Sequence, residues 1–130
     1  IIDNMPGAFI VYRADKENDE ILLANNELLR LTGCKNMDEL LAYTGKSFCN
    51  LIRQDEQESC QKSIWSQIDG GNVNDYSFFH MRKADGTYIS VLDHGRIVDS
   101  VRNGRVFYVM IMDLNALQRH YGDCLELVEK

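Results

Sequence analysis

Between Phe79 and Asp113 apolar and polar residues alternate in runs broken by turn residues. Phe79-His80-Met81-Arg82 and Tyr88-Ile89-Ser90-Val91 flank Asp85-Gly86, the pattern of a β-hairpin. Register decides the turn. A two-residue turn at Asp85-Gly86 sets Met81 against Ser90 and His80 against Val91, mixing polar and apolar partners. A three-residue loop, Ala84-Asp85-Gly86 with Gly86 at positive φ, sets Met81 against Ile89 and Phe79 against Val91. One face is then apolar, and His80, Arg82, Tyr88 and Ser90 take the other. Because a one-residue slip moves every side chain across the sheet, the pattern selects the three-residue loop. Asn103-Gly104 turns the chain again into Arg105–Asp113, where Phe107, Val109 and Ile111 alternate with Tyr108, Met110 and Met112. Both faces of that strand are apolar, which predicts cover on both sides.

Upstream, Ile1–Met5 reads as the tail of a helix or an arm, punctuated by Pro6-Gly7. Ala8–Arg13 reads as a strand with Phe9 and Val11 on one side and Ile10 and Tyr12 on the other. A polar loop, Asp15–Glu20, leads to a second strand at Ile21–Ala24. Asn25-Asn26 can cap a helix carrying Leu28, Leu29 and Leu31 up to Gly33. Asn36 and Glu39 make a capping-box pattern before Leu40 and Leu41, and Phe48, Leu51 and Ile52 suit one buried face of a single turn. Asp55 with Glu58 predicts the start of the longest internal helix. There Cys60, Ile64 and Ile68 share a face with Trp65 beside them, Gln57, Gln61, Lys62 and Gln67 stay in solvent, and Gly70-Gly71 ends the helix. After the last strand, Leu114, Leu117, Tyr121, Cys124 and Val128 keep an alternating three-four spacing over about two heptads. Two strands, a helical interlude, three strands and an exit helix predict an α+β fold with helices on one face of an antiparallel sheet.

Composition narrows the functional classes. One hundred and thirty residues make a single domain. A net charge of −6 without a basic cluster argues against nucleic acid or an anionic membrane surface as partner. No apolar run reaches transmembrane length and no signal peptide is present, so no membrane insertion is expected of this segment. A start at Ile1 and a charged helical end suggest a piece of a longer protein. Cys34, Cys49, Cys60 and Cys124 lack metal-ligand spacing and read as small buried hydrophobes of a reducing compartment, with no metal. No phosphate loop, nucleophile elbow or zinc-protease motif occurs, and His80, His94 and His120 stand apart from acidic or thiol partners, so no catalytic residue is assigned.

The order of elements, with Met5-Pro6-Gly7, Ala24-Asn25, Leu31-Thr32-Gly33, Gly45-Lys46-Ser47-Phe48, Lys83-Ala84-Asp85-Gly86 and Ile111-Met112-Asp113, resembles a PAS domain, the sensory module of bacterial signalling proteins. The resemblance spans residues 1–115 and leaves 116–130 as a C-terminal signalling helix. It implies a five-stranded sheet in the order 2-1-5-4-3 whose inner face and helices enclose a pocket. Candidate lining residues are Phe9, Val11, Asn25, Phe48, Ile52, Ile64, Trp65, Phe79, Met81, Ile89, Val91, Val109 and Ile111. Tyr108, Met110 and Met112 form an outer row that a second copy can cover, and Asp113, Leu114, Leu117 and Tyr121 are candidates for signal relay. Relatives usually end in Asp-hydrophobic-Thr; here Asp113-Leu114-Asn115 lacks the Thr.

The resemblance also bears on cofactors and output. The helix from Asp55 carries no His for haem, and Cys49 sits one residue late for the reactive cysteine of flavin photoreceptors, so neither group is expected. A small-molecule ligand in the apolar core is the remaining chemical option. The resemblance thus implies a non-enzymatic input domain of a cytoplasmic signalling protein, relaying to a C-terminal diguanylate cyclase or histidine kinase in the same chain. The alternative is a ligand-free homodimerisation module. An isomerase-like enzyme on a similar sheet ranks last, because the lining set offers no acid-base pair.

Overall fold

The computed structural model describes the backbone of residues 2–129, and their side chains except at Tyr121 and residues 123–129. Five strands, β1 (Ala8–Arg13), β2 (Ile21–Ala24), β3 (Asn74–Arg82), β4 (Tyr88–Ser100) and β5 (Gly104–Asp113), form one antiparallel sheet in the order β2-β1-β5-β4-β3. Between β2 and β3 lie α1 (Asn26–Thr32), α2 (Met37–Thr44), two 3-10 turns (Phe48–Leu51 and Gln54–Glu56) and α3 (Gln57–Asp69); α4 (Leu114–Glu129) follows β5.

The hairpin has the register that face segregation selects: Met81 opposes Ile89 and Phe79 opposes Val91. The Lys83 amide donates to the Thr87 carbonyl at 2.8 Å, closing a loop in which Gly86 holds φ 87°. The helices between the strands pack their apolar faces on the sheet's inner side. Ile10, Phe79, Met81, Val91, Phe107, Val109 and Ile111 meet Leu28, Leu40, Phe48, Leu51, Ile52 and Ile64 there, all buried. A smaller cluster on the other side joins Phe9, Val11 and Val106 with Ile2, Met5, Leu22, Val98 and Met110.

Three expectations change. Phe9 and Val11 belong to that outer cluster, not to the inner pocket; in β1 it is Ala8, Ile10 and Tyr12 that point inward. A strand apolar on both faces carries no alternation from which its inner side can be read. The long helix starts at Gln57, because Asp55 lies in the preceding 3-10 turn and spends its carboxylate on Arg53 at 2.6 Å; Glu56 sits at the cap position without a capping bond. Of the four residues expected in solvent, only Lys62 is exposed. Gln57 donates to the Ile52 carbonyl, and Gln67 grips the backbone of Tyr76, accepting from its N–H at 2.9 Å and donating to its carbonyl at 3.0 Å.

The Gln67 contact matters because β3 is an edge strand. Farther along the same edge, the Arg53 amide donates to the His80 carbonyl, and the His80 amide donates to Glu56 Oε1, both at 2.9 Å. Side chains and loop backbone thereby occupy edge groups that would otherwise be open to another strand.

Candidate functional site

Aromatic rings fill the centre of the inner face. Tyr12 stacks on Phe48 with centroids 3.9 Å apart, and Phe79 meets Phe48 edge-on at 6.4 Å. Phe107 touches both Tyr12 and Trp65, at 5.1 and 5.5 Å. Of the expected lining residues, Phe48, Ile52, Ile64, Phe79, Met81, Val91, Val109 and Ile111 are buried in this core, with Trp65 and Ile89 partly buried against it. Asn25 is buried too, but as a clamp. Its Oδ1 accepts from the amides of Phe9 and Leu28, and its Nδ2 donates to the carbonyls of Ile2 and Gly7. Two acceptor and two donor sites are all that an amide offers, so nothing remains for a ligand.

Beside the rings, the inner face turns polar. Asp75 opposes Gly95 and Ser77 opposes Asp93 across β3 and β4, and all four point inward. Asp75 and Asp93 are each 1% exposed. Both oxygens of Asp93, and Oδ2 of Asp75, are buried without a hydrogen-bond partner. Asp75 reaches into the space that Gly95 leaves: a Cβ built on Gly95 would stand 2.6 Å from Asp75 Oδ2. Ser77 Oγ lies 3.0 Å from Cys60 Sγ of α3. Burial raises the Asp75 carboxyl to about 6, and burial together with Asp75 pushes Asp93 well above the ordinary carboxylate range. The Tyr12 hydroxyl is raised by burial and then by the fields of Asp93 and Asp75; the Cys60 thiol is raised to about 11, chiefly by burial. No pattern in the sequence marks an acid at this place.

Two of the cavities beside the core involve the expected site residues. One of about 660 Å³ has Asp19, Ser47, Cys49, Gln61 and Trp65 in its wall. Asp19 is already engaged, accepting from Ser47 Oγ at 2.7 Å and from the Cys49 amide at 2.8 Å. Burial, and then Asp19, raise the Cys49 thiol. Gln61 borders this cavity too, and its side chain acts on the Cys49 thiol in the opposite direction. The second cavity, about 490 Å³, lies between the Pro6–Ala8 segment, α1 and the first turns of α4, and has Asp113, Ala116 and Leu117 in its wall. Asp113 caps α4, its Oδ1 accepting from the amides of Asn115 at 2.9 Å and Ala116 at 3.3 Å. Leu114 is half-buried; the side chains of Tyr121, Cys124 and Val128 lie outside the described residues.

The outer face carries aligned rows. Phe78, Leu92 and Met112 lie in one register row, and Tyr76, His94, Met110 and Phe9 in the next. Phe78 is 69% exposed, Tyr76 54% and Tyr108 46%. His94 stacks on Tyr76 at 4.6 Å, and His80 Nδ1 lies 3.1 Å from both carboxylate oxygens of Glu56, an acidic partner the spacing did not reveal. Among the described residues, no cluster of three or more His, Cys, Asp or Glu side chains is placed to hold a metal, and no helix is long and apolar enough to cross a membrane.

An antiparallel sheet in the order 2-1-5-4-3, with helices gathered on one face and an exit helix after the last strand, defines a distinct class of α+β fold. A family model described as the PAS fold matches residues 21–112, and the chain belongs to that family of regulatory domains. No curated protein matches the chain in sequence. Solved structures share the fold. The PAS domain of a protein from Desulfitobacterium hafniense aligns at 13% identity and TM-score 0.67, over 87% of this chain and 97% of that one. A LOV protein of Rhodobacter sphaeroides aligns at 19% and 0.66, over 87% of this chain and 62% of its own length. A domain of a sensory box sensor histidine kinase/response regulator from Geobacter sulfurreducens aligns at 13% and 0.60, over 84% and 85%.

Proposed function

We propose that this chain is the non-enzymatic input domain of a larger cytoplasmic signalling protein. A small molecule in the core biases the sheet between two arrangements, and α4 carries the bias to a C-terminal effector, a histidine kinase or diguanylate cyclase. The observation behind this reading is the continuity of β5 with α4. The strand that places Val109 and Ile111 in the inner core runs into the exit helix at Asp113, whose carboxylate caps that helix. A shift of β5 against the core therefore moves the first turn of α4 with it. A sensor histidine kinase domain among the structural neighbours fits such an output. Placing the chain ahead of a histidine-kinase catalytic module tests the relay. Gln118→Pro breaks α4 after its first turn and is expected to uncouple kinase output from the domain. Unchanged output and response in that variant would sink the relay.

A second reading, homodimerisation through the outer face, is favoured by the exposed rings of Phe78, Tyr76 and Tyr108 beside half-buried Met110 and Met112. Sedimentation equilibrium is expected to give a dimer for the wild-type chain and a monomer for Phe78→Lys. A wild-type monomer at every concentration removes this reading.

A further inference from the structure

We propose that Asp75 and Asp93 form a binding site for the primary ammonium group of a small ligand. This assignment supplies the ligand chemistry of the sensory reading and rests on that reading for its physiological meaning.

Three carboxylate oxygens, Asp75 Oδ2 and both of Asp93, lie buried on the inner face of adjoining strands without a donor. The groups in electrostatic reach supply no positive charge. They are Tyr12 on β1 and Cys60 on α3, neither of them basic. Neither aspartate has an ion-pair partner among the described residues. An acceptor set of this kind, 1% exposed, selects its occupant by donor count. A primary ammonium brings three N–H donors and one positive charge to three acceptor oxygens. A quaternary ammonium brings no donor, and a guanidinium brings five in a plane.

Access is marked by a polar side chain of α3 at a cavity wall. Cys60 bonds Ser77, which opposes Asp93; the next residue, Gln61, borders the cavity of about 660 Å³, where its side chain meets the Cys49 thiol. A single residue step along α3, from Cys60 to Gln61, thus leads from the side facing the acid pair to a cavity able to hold the body of a small amine. The cavity wall contains Glu17, Asp19 and Asp69 against Lys16 and Lys62, so its formal charge is negative. Its Trp65 ring already carries an ammonium, Lys16 Nζ at 5.3 Å from the centroid. Gln61 is the side chain that must swing for entry.

Occupancy reverses the electrostatics of the pair. On its own the pair favours protonated carboxyls, whereas a bound ammonium favours carboxylates, so binding near pH 6 releases protons.

The test is a thermal-shift titration of the 130-residue chain with methylammonium chloride against tetramethylammonium chloride at matched ionic strength. So small a probe binds no tighter than the millimolar range, so the titration runs to about 100 mM. Methylammonium is expected to raise the melting temperature saturably, while tetramethylammonium has no such effect. Asp93→Asn is expected to abolish the difference and Asp75→Asn to diminish it. Calorimetry in two buffers of different ionisation enthalpy is expected to register proton release on binding. Equal responses to the two salts, or a full methylammonium response in Asp93→Asn, overturn the site. Because the titration needs no effector, a saturable response upholds the site even where Gln118→Pro leaves kinase output unchanged and the relay fails.

Discussion

Asp93 sits where a carboxylate is most expensive, inside the sheet's inner face with no donor and another acid on the neighbouring strand. Its burial makes stability depend on pH. Both folded-state pKa values are raised above those of the unfolded chain, so the folded state binds more protons. The pair's contribution to stability is therefore greatest at pH 4 and below, and is lost as pH rises through about 6 for Asp75 and beyond for Asp93. The slope approaches about 1.4 kcal/mol per pH unit for each proton retained only by the folded state. Urea unfolding of Asp93→Asn is expected to lose much of this slope, matching wild type near pH 4 and exceeding it at pH 8. A second prediction concerns Gly95. Alanine there would place its Cβ against Asp75 Oδ2, and a loss of about 1–3 kcal/mol is expected, largely restored in the double variant with Asp75→Ala. None of this was legible in the sequence. Asp75 follows Gly70-Gly71-Asn72-Val73-Asn74 and looks like the polar edge of a turn, while Asp93-His94-Gly95 looks like an interruption. Only the placement of α3 over both strands buries them.

The elements were more legible, wherever local chemistry and pattern agreed. Asp85-Gly86 and the alternation around it determined the hairpin register to the residue, because the wrong register would have exposed Met81. Asn25 and Asn36 announced two helix starts, and both accept the expected amide bond, from Leu28 and Glu39. Asp55 misled because Arg53 competes for the same carboxylate. Phe9 and Val11 misled because β1, like β5, is apolar on both sides. At α4 the three-four seam from Leu114 to Val128 was visible, but the capping role of Asp113 was not. Asp113→Ala is expected to cost about 1 kcal/mol locally, measured as faster amide exchange at Asn115 and Ala116 with the core strands unchanged.

At the scale of the molecule, the sheet separates two tasks. Its inner face holds the core and the acid pair; its outer face keeps large side chains only partly covered, with Phe78 the most exposed ring in its rows. Lysine at Phe78 is therefore expected to leave the unfolding free energy within about 0.5 kcal/mol of wild type while altering self-association, a combination that substitution of Met81 cannot produce. The sequence indicated an outer row in β5 but not its extension through β4 and β3, which depends on strand order.

The grip of Gln67 and Glu56 on the free edge of β3 bears on how the protein keeps in concentrated solution. Those two side chains occupy backbone groups of Tyr76 and His80 on either side of Phe78, leaving only a short stretch to template an incoming chain. Removing both, in Gln67→Ala with Glu56→Ala, would free both backbone groups of Tyr76 and the His80 amide, with the His80 carbonyl still held by the Arg53 amide. Gelation or fibre growth on prolonged storage at millimolar concentration is the expected result, at temperatures where the wild-type chain stays clear.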